Sequence, residues 1–163
     1  MSIKTNHAKY ISTGAYDAII GDSAQVSTGK ATHTSLQAAN DALAAFGQYK
    51  ILILPEATAG GLNTSSRHLT VEGKTMGCQI TGAVVLNDYN CTFMNLTFMS
   101  TVTVNASCDQ NFFLNTWFSG GNVTVASGSV GNRFIGYWIN SGSYSITDNN
   151  ADTTVNTYLG NDS

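Results

Sequence analysis

The chain's 163 residues suffice for one domain with a sizeable core, and its 42% apolar content argues against disorder. Only 10% of residues are charged, the net charge is −3, and Arg133 is the sole cation after Met76. That excludes a phosphate-neutralising surface, so neither nucleic acid nor an anionic membrane is an expected partner.

Thr, Ser and Asn together number 52. Thr, Val, Ile and aromatic residues in short runs between Gly, Asn and Ser favour an all-β chain over a helical bundle. Residues 1–30 read as a polar arm with small apolar groups, Tyr10–Ile11 and Ala18–Ile19–Ile20, and no clear period. An arm without its own core is ordered by lying against something else. The start "MSIKTNHAKY" has no apolar h-region and no run reaches 18 apolar residues, so neither secretion nor membrane insertion is signalled.

Next comes "THTSLQAANDALAAFG" (32–47). Thr34 or Ser35 can cap a helix start; Leu36, Ala39, Leu43 and Phe46 recur at helical spacing, and Gly47 is a natural stop. The pattern predicts one amphipathic helix over about 34–46, and no other helix is signalled. "YKILILP" (49–55) reads as a continuous apolar strand, buried on both faces and ended by the sole proline, Pro55.

From Arg67 a repeat takes over, with "HLTVEG" (68–73) as a divergent first copy. "CTFMNLTF" (91–98), "NFFLNTWF" (111–118), "NRFIGYWI" (132–139) and "DTTVNTYL" (152–159) follow at steps of 20, 21 and 20. They align as columns: Met94, Leu114, Ile135 and Val155; Asn95, Asn115, Gly136 and Asn156; Phe98, Phe118, Ile139 and Leu159. A second strand recurs as "TVTV" (101–104), "NVTV" (122–125) and "SYSI" (143–146). Strands at a fixed period near 21 residues, without helices between them, define a solenoid whose turns stack at about 4.8 Å. The Asn/Gly column suits bends, because these residues tolerate the left-handed backbone and Asn can bond along its own ladder. The expected fold is all-β: a short right-handed parallel β-helix of about five turns, residues 31–163, capped by the helix and preceded by the arm.

Several residues are candidates for function. Thr97, Trp117, Trp138 and Tyr158 immediately precede the Phe98 column. If that column points inward, strand alternation turns this stripe outward, as a subunit interface or a sugar-stacking surface; with the phase reversed the tryptophans fill the core. Asp88 and Asp109, 21 residues apart, are expected at one bend of adjacent turns. There they could hold a cation or share a proton, or simply sit on solvated turns. His7, His33 and His68 make no metal spacing, and Ser and Cys lack any nucleophile motif. Neither catalysis, nor a bound metal, nor a cofactor is expected. Cys78, Cys91 and Cys108, an odd number without CxxC spacing, read as reduced buried thiols. No helix or loop follows the last copy, so its edge is expected to be covered by association with copies of the same chain.

A helix, an apolar strand ending in Pro, then stacked T-x-x-N turns resemble the pectate-lyase-like parallel β-helix family. "THTSLQAANDALAAFGQYKILILPEA" is similar to the opening segment of phage tailspikes, tail fibres and head fibres, which pair an "IQAAID"-type helix with a strand ending in "LP". "YDAIIGDSAQVSTGKATHTSLQ" resembles the lead-in of phage-encoded members, and the likeness covers roughly residues 16–100. It departs from tailspike enzymes, which are much longer and carry a groove. The resemblance implies a homotrimer on a virion, made in the host cytoplasm. The expected role is a capsid decoration or head-fibre protein held to the major capsid protein, or another virion protein, by the arm. Tyr10, Ile11, Tyr16, Ile19 and Ile20 would make that attachment. The alternatives are a tail component binding host polysaccharide through the aromatic stripe, and a minimal polysaccharide-degrading spike using Asp88 and Asp109.

Overall fold

The computed structural model describes residues 16–64, 68–139, 143–152 and 154–162. Thirteen strands and two short helices occur among them. The long sheet runs β1 (Ala18–Ile20), β2 (Gln48–Ile53), β4 (His68–Gly73), β7 (Thr92–Phe98), β9 (Phe112–Phe118), β11 (Arg133–Ile139), β13 (Thr157–Asp162), with β5 (Gln79–Ile80) also on β7. The short sheet has five strands: β3 (Leu62–Asn63), β6 (Val84–Leu86), β8 (Val102–Val104), β10 (Val123–Val125) and β12 (Ile146–Asp148). Every pairing is parallel, and the five turns that begin at β2, β4, β7, β9 and β11 each give a strand to both sheets. The protein is a parallel β-solenoid of about five turns.

The repeated Asn/Gly position shapes each turn. Asn95, Asn115 and Gly136 have φ of 56°, 51° and 61°, in the left-handed region. In β7 the core-cluster residues are Phe93, Leu96 and Phe98. Alternation holds on either side of Asn95, but the left-handed residue adds one position, so both halves of the strand keep a face inside. Asn and Gly are the residues that accept this backbone most readily. The Asn115 Nδ2 donates to Asn95 Oδ1 at 2.7 Å, which ties two corners together.

Inside, like stacks on like. Phe93, Phe113, Phe134 and Tyr158 form one column, with ring centroids 5.2, 4.5 and 5.1 Å apart and near-parallel planes. Phe98 and Phe118 begin a second, 5.1 Å apart. The short sheet lines the opposite wall with Val84, Leu86, Val102, Val104, Val123 and Val125, all fully buried. Each buried Phe or Val contributes roughly 1.5–3 kcal/mol.

A buried amide ladder closes one corner. The Oδ1 atoms of Asn111, Asn132 and Asn156 accept the main-chain N–H of Cys91, Asn111 and Asn132 at 2.9, 3.0 and 2.8 Å. Their Nδ2 groups donate to Cys108 O, Ser129 Oγ and Asp148 Oδ2, among others. Each side chain thus satisfies a backbone N–H of the preceding turn where the chain enters its strand.

The ladder corrects the expected alignment of the last copy. Asn156 stands over Asn132, not over Gly136, and Phe134 pairs with Tyr158, Ile135 with Leu159 and Trp138 with Asn161. The step from Phe134 to Tyr158 is 24 residues, three more than from Phe113 to Phe134. Val155 therefore leaves the Met94 column, and Leu159 joins it instead of the Phe98 column. In the short sheet, Ile146 pairs with Val123 rather than Val125.

The first turn differs from expectation as well. Ala18–Ile20 is a buried strand, not part of an arm, and it pairs in register with Ile51–Ile53. Helix α1 (Ser23–Ser27) follows, with a reciprocal cap between Asp22 and Gln25. Helix α2 spans Leu36–Ala42, shorter than the predicted 34–46, with the Ser35 Oγ accepting Ala38 N–H at 3.1 Å. Leu43 is already extended and Phe46 is left-handed and exposed, because the chain must turn there to enter β2. The apolar face of α2, Leu36 and Ala39, packs into the core and covers the end near β1 and β3. β2 alternates, with Ile51 and Ile53 inward and Lys50 exposed, so it is not buried on both faces.

Two substitutions test this core. Thr116, fully buried opposite Leu96, has a hydroxyl with no hydrogen-bond partner. Thr116→Val should stabilise the protein by about 1 kcal/mol, read as a higher urea midpoint at unchanged slope. Asn132→Ala strands the Asn111 N–H and should cost about 2–3 kcal/mol in the same measurement.

Candidate functional site

The long sheet's outward face carries the aromatic stripe. Trp117 and Trp138 are paired neighbours on β9 and β11, 47% and 38% exposed, while Phe98, Phe118 and Ile139 beside the stripe are buried. The stripe therefore points out. Thr97 belongs to the same column but is only 5% exposed. The chain between β4 and β5 passes over it: its Oγ1 donates to Met76 O at 2.8 Å and its N–H to Cys78 O at 2.9 Å. Tyr158 leaves the set altogether. It lies over Phe134 and its hydroxyl donates to Asp148 Oδ2 at 2.9 Å; burial, then the Asp148 carboxylate, pushes its ionisation up.

Beside the tryptophans runs a second outward column, Met94, Leu114, Ile135 and Leu159. The first three are half-buried and Leu159 is 61% exposed. With Met99, exposed at the edge of the same sheet, they form an apolar face over three to four turns. Sequence reasoning had the column but not its direction, which depends on the left-handed corner between Leu114 and Thr116.

The attachment residues separate. Tyr10 and Ile11 lie outside the described residues. Ile19 and Ile20 are buried in the first turn. The Tyr16 hydroxyl donates to Glu72 Oε2 at 2.8 Å, and burial, then Glu72, raises its ionisation. These three hold the body together.

Asp88 and Asp109 stand at one corner of successive turns, each engaged in turn structure. Asp88 Oδ1 accepts Tyr89 N–H at 2.9 Å, and Asp109 Oδ1 accepts Val130 N–H of the next turn at 2.8 Å. Both face Cys108, whose thiol is raised first by burial and then by these carboxylates. Burial pushes the Cys91 thiol up to about 12. All three cysteines are buried thiols, the inert form of the residue. Among the described residues, no three His, Cys, Asp or Glu side chains gather as metal ligands, and no helix is long and apolar enough to cross a membrane.

Two concavities open at the corners. One, about 490 Å³, is lined by Asn90, Gln110, Asn111, Phe112, Gly131 and Arg133. The other, about 370 Å³, is lined by Phe46, His68, Asn87, Asp88, Tyr89 and Ser107. The second was missed in the sequence, although His68 and Tyr89 stand 21 residues apart, one turn of the repeat.

Fold and face together define a parallel β-solenoid with an apolar outward sheet. No family model, curated protein or solved structure matches the chain.

The last turn carries an acid-sensitive clamp. Asp148 accepts from Asn150, Asn156 and Tyr158. Partial burial pushes its carboxyl up, but these bonds outweigh burial and hold it below the ordinary value of 3.8. Asp148 therefore stabilises the last turn above that pH, and the contribution is lost as pH falls through the folded-state value. Wild type should be more stable than Asp148→Asn at pH 7, and the gap in urea midpoint should close below pH 3.8. A gap unchanged at low pH would show the clamp does not titrate.

Proposed function

We propose that this solenoid is a structural surface protein of a bacteriophage particle that assembles as a homotrimer through the outward face of its long sheet. The supporting observation is the face itself: Trp117 and Trp138 exposed in register beside Leu114, Ile135 and Leu159. Contiguous apolar surface of this kind is stabilised by burial against a partner, and buried tryptophans concentrate binding energy. On β9 and β11 Arg133 is the one charged residue, which suits contact with a copy of the chain better than with a strongly acidic or basic partner. Placement on a virion follows from the resemblance of residues 16–100 to phage β-helix proteins. The role is capsid decoration or head fibre, with Tyr10 and Ile11, ahead of the first turn, toward the major capsid protein or another virion protein. It is a role of burial and stabilisation, not catalysis.

A second reading, a tail component binding host polysaccharide, draws on the 490 Å³ concavity, where Arg133, Gln110 and Asn90 surround Phe112 near the same sheet. Sugar sites combine such amides and charges with an aromatic ring.

Sedimentation velocity separates the two. Wild type should sediment as three chains, and Trp117→Ser with Trp138→Ser should give folded monomers, a loss of at least about a hundredfold in association. A wild-type monomer at micromolar concentration would sink the assembly reading. Trimers that survive the double substitution, with glycan binding that disappears on Phe112→Ala, would favour the tail component.

A further inference from the structure

We infer that the 490 Å³ concavity at the start of β9 and β11 binds a hexuronate, a sugar ring that carries a carboxylate. The inference rests on the polysaccharide reading and names the sugar class which that reading leaves open.

The strand register aims two side chains into the site. Phe112 and Arg133 are partners on neighbouring parallel strands, about 4.8 Å apart. The residues after them, Phe113 and Phe134, are buried and stacked, so alternation turns Phe112 and Arg133 outward side by side. The rim comes from left-handed corners of successive turns: Asn90, Gln110 and Gly131, with φ of 58°, 58° and 72°. Their main-chain N–H groups donate to Asp109 O, Val130 O and Val155 O. The side-chain amides of Asn90 and Gln110 make no hydrogen bond among the described residues and are open to a ligand. Gly131 puts no side chain over Gln110, whose Cγ would lie 3.3 Å from a Cβ there. Asn111 is fully engaged in the buried ladder and supplies only the floor.

The charge of the site is positive. Arg133 is exposed, makes no ion pair among the described residues, and is the one charged residue of them that lines the concavity. The segments outside the described residues contain no Asp or Glu, so they add no acidic side chain. Asp109, next to Gln110, accepts the Val130 N–H. Asp162 stands opposite Ile139, at the other end of the strands. A cationic ligand would be repelled by Arg133, and a neutral sugar would leave its planar fork unused. A hexuronate uses all three elements. Its carboxylate pairs bidentately with the guanidinium, its ring lies on Phe112, and its hydroxyls bond the two amides, which both donate and accept. The tryptophans stand at the opposite ends of the same strands, so the site does not draw on the apolar face.

NMR titration with methyl glucuronide and methyl galacturonide, following the Phe112 ring and Arg133 side-chain signals, tests this. Saturable binding of at least one in the millimolar range is expected. Methyl glucoside, the same ring without the charge, and acetate, the charge without the ring, should each bind about tenfold more weakly or worse. Arg133→Gln, at an exposed position, should reduce uronide binding to the level of the glucoside and leave the glucoside unchanged. Arg133→Lys, which keeps the charge and loses the fork, should fall between the two. Undiminished uronide binding by a folded Arg133→Gln overturns the inference. Glucoside binding as tight as that of the uronides overturns it too but keeps the polysaccharide reading of the concavity. Acetate binding as tight as that of the uronides, or no saturation by any sugar up to about 100 mM, overturns both.

Discussion

Each turn of this protein must lie in register on the turn before it, and every other feature answers to that requirement. Parallel ladders bond a strand only to its neighbours one turn away, so a residue's surroundings are set by its counterparts in the same column. Phenylalanine can follow phenylalanine because offset stacking at 4.5–5.2 Å matches the rise between strands. Asparagine can follow asparagine because one amide both accepts from the turn before and donates onward. The ladder begins at Cys91, whose N–H it satisfies, and reaches a carboxylate, Asp148, which receives the last amide.

The left-handed corner makes the core and the outward face together. Phe113 and Phe118 differ by five positions, so simple alternation would put them on opposite sides of a strand. Asn115, with φ of 51°, occupies one of those positions without taking a side. Both phenylalanines then face inward, and Leu114 and Trp117, three apart, both face outward. A substitution that straightened this corner would invert one half of the strand. It would exchange buried rings for exposed ones, which is why the position holds Asn, Asn and Gly.

This explains what could be read from sequence. The period, the parallel stack and the left-handed column all follow from columns that recur every 20 or 21 residues, whereas the outward phase of Trp117 and Trp138 is fixed only by the burial of Phe98, Phe118 and Ile139 beside them. Tyr158 was misread because "VNTY" imitates "LNTW", while the longer turn ahead of it moves Asn156 into the buried ladder. The buried amide has the stronger requirement, since its absence would leave the Asn132 N–H unpaired. Thr97 looked exposed because nothing local announces that residues near Met76 cross over it. Ala18–Ile20 is too short for a period, yet it completes the first turn. The Asp22–Gln25 cap lies in a segment without a hydrophobic period, so its spacing alone does not announce the helix it starts. The concavity at His68 and Tyr89 is assembled from four segments, so no single stretch carries its signal.

The solenoid is consequently asymmetric along its axis. Near β1 and β3, helix α2 buries Leu36 and Ala39 and covers the stack. On the outward face the stripe begins closed, with Thr97 under the Met76 crossing, and opens into Trp117, Trp138 and the neighbouring Leu159. On this face the exposed large apolar groups thus lie away from the capped end. A partner copy seated on this face would engage β9, β11 and β13 and leave the first turns free. The amide ladder runs beneath the same later turns, so the part of the molecule that presents the tryptophans has its backbone fixed by side chains. A pre-organised surface loses little freedom on binding, which favours association without any change in fold.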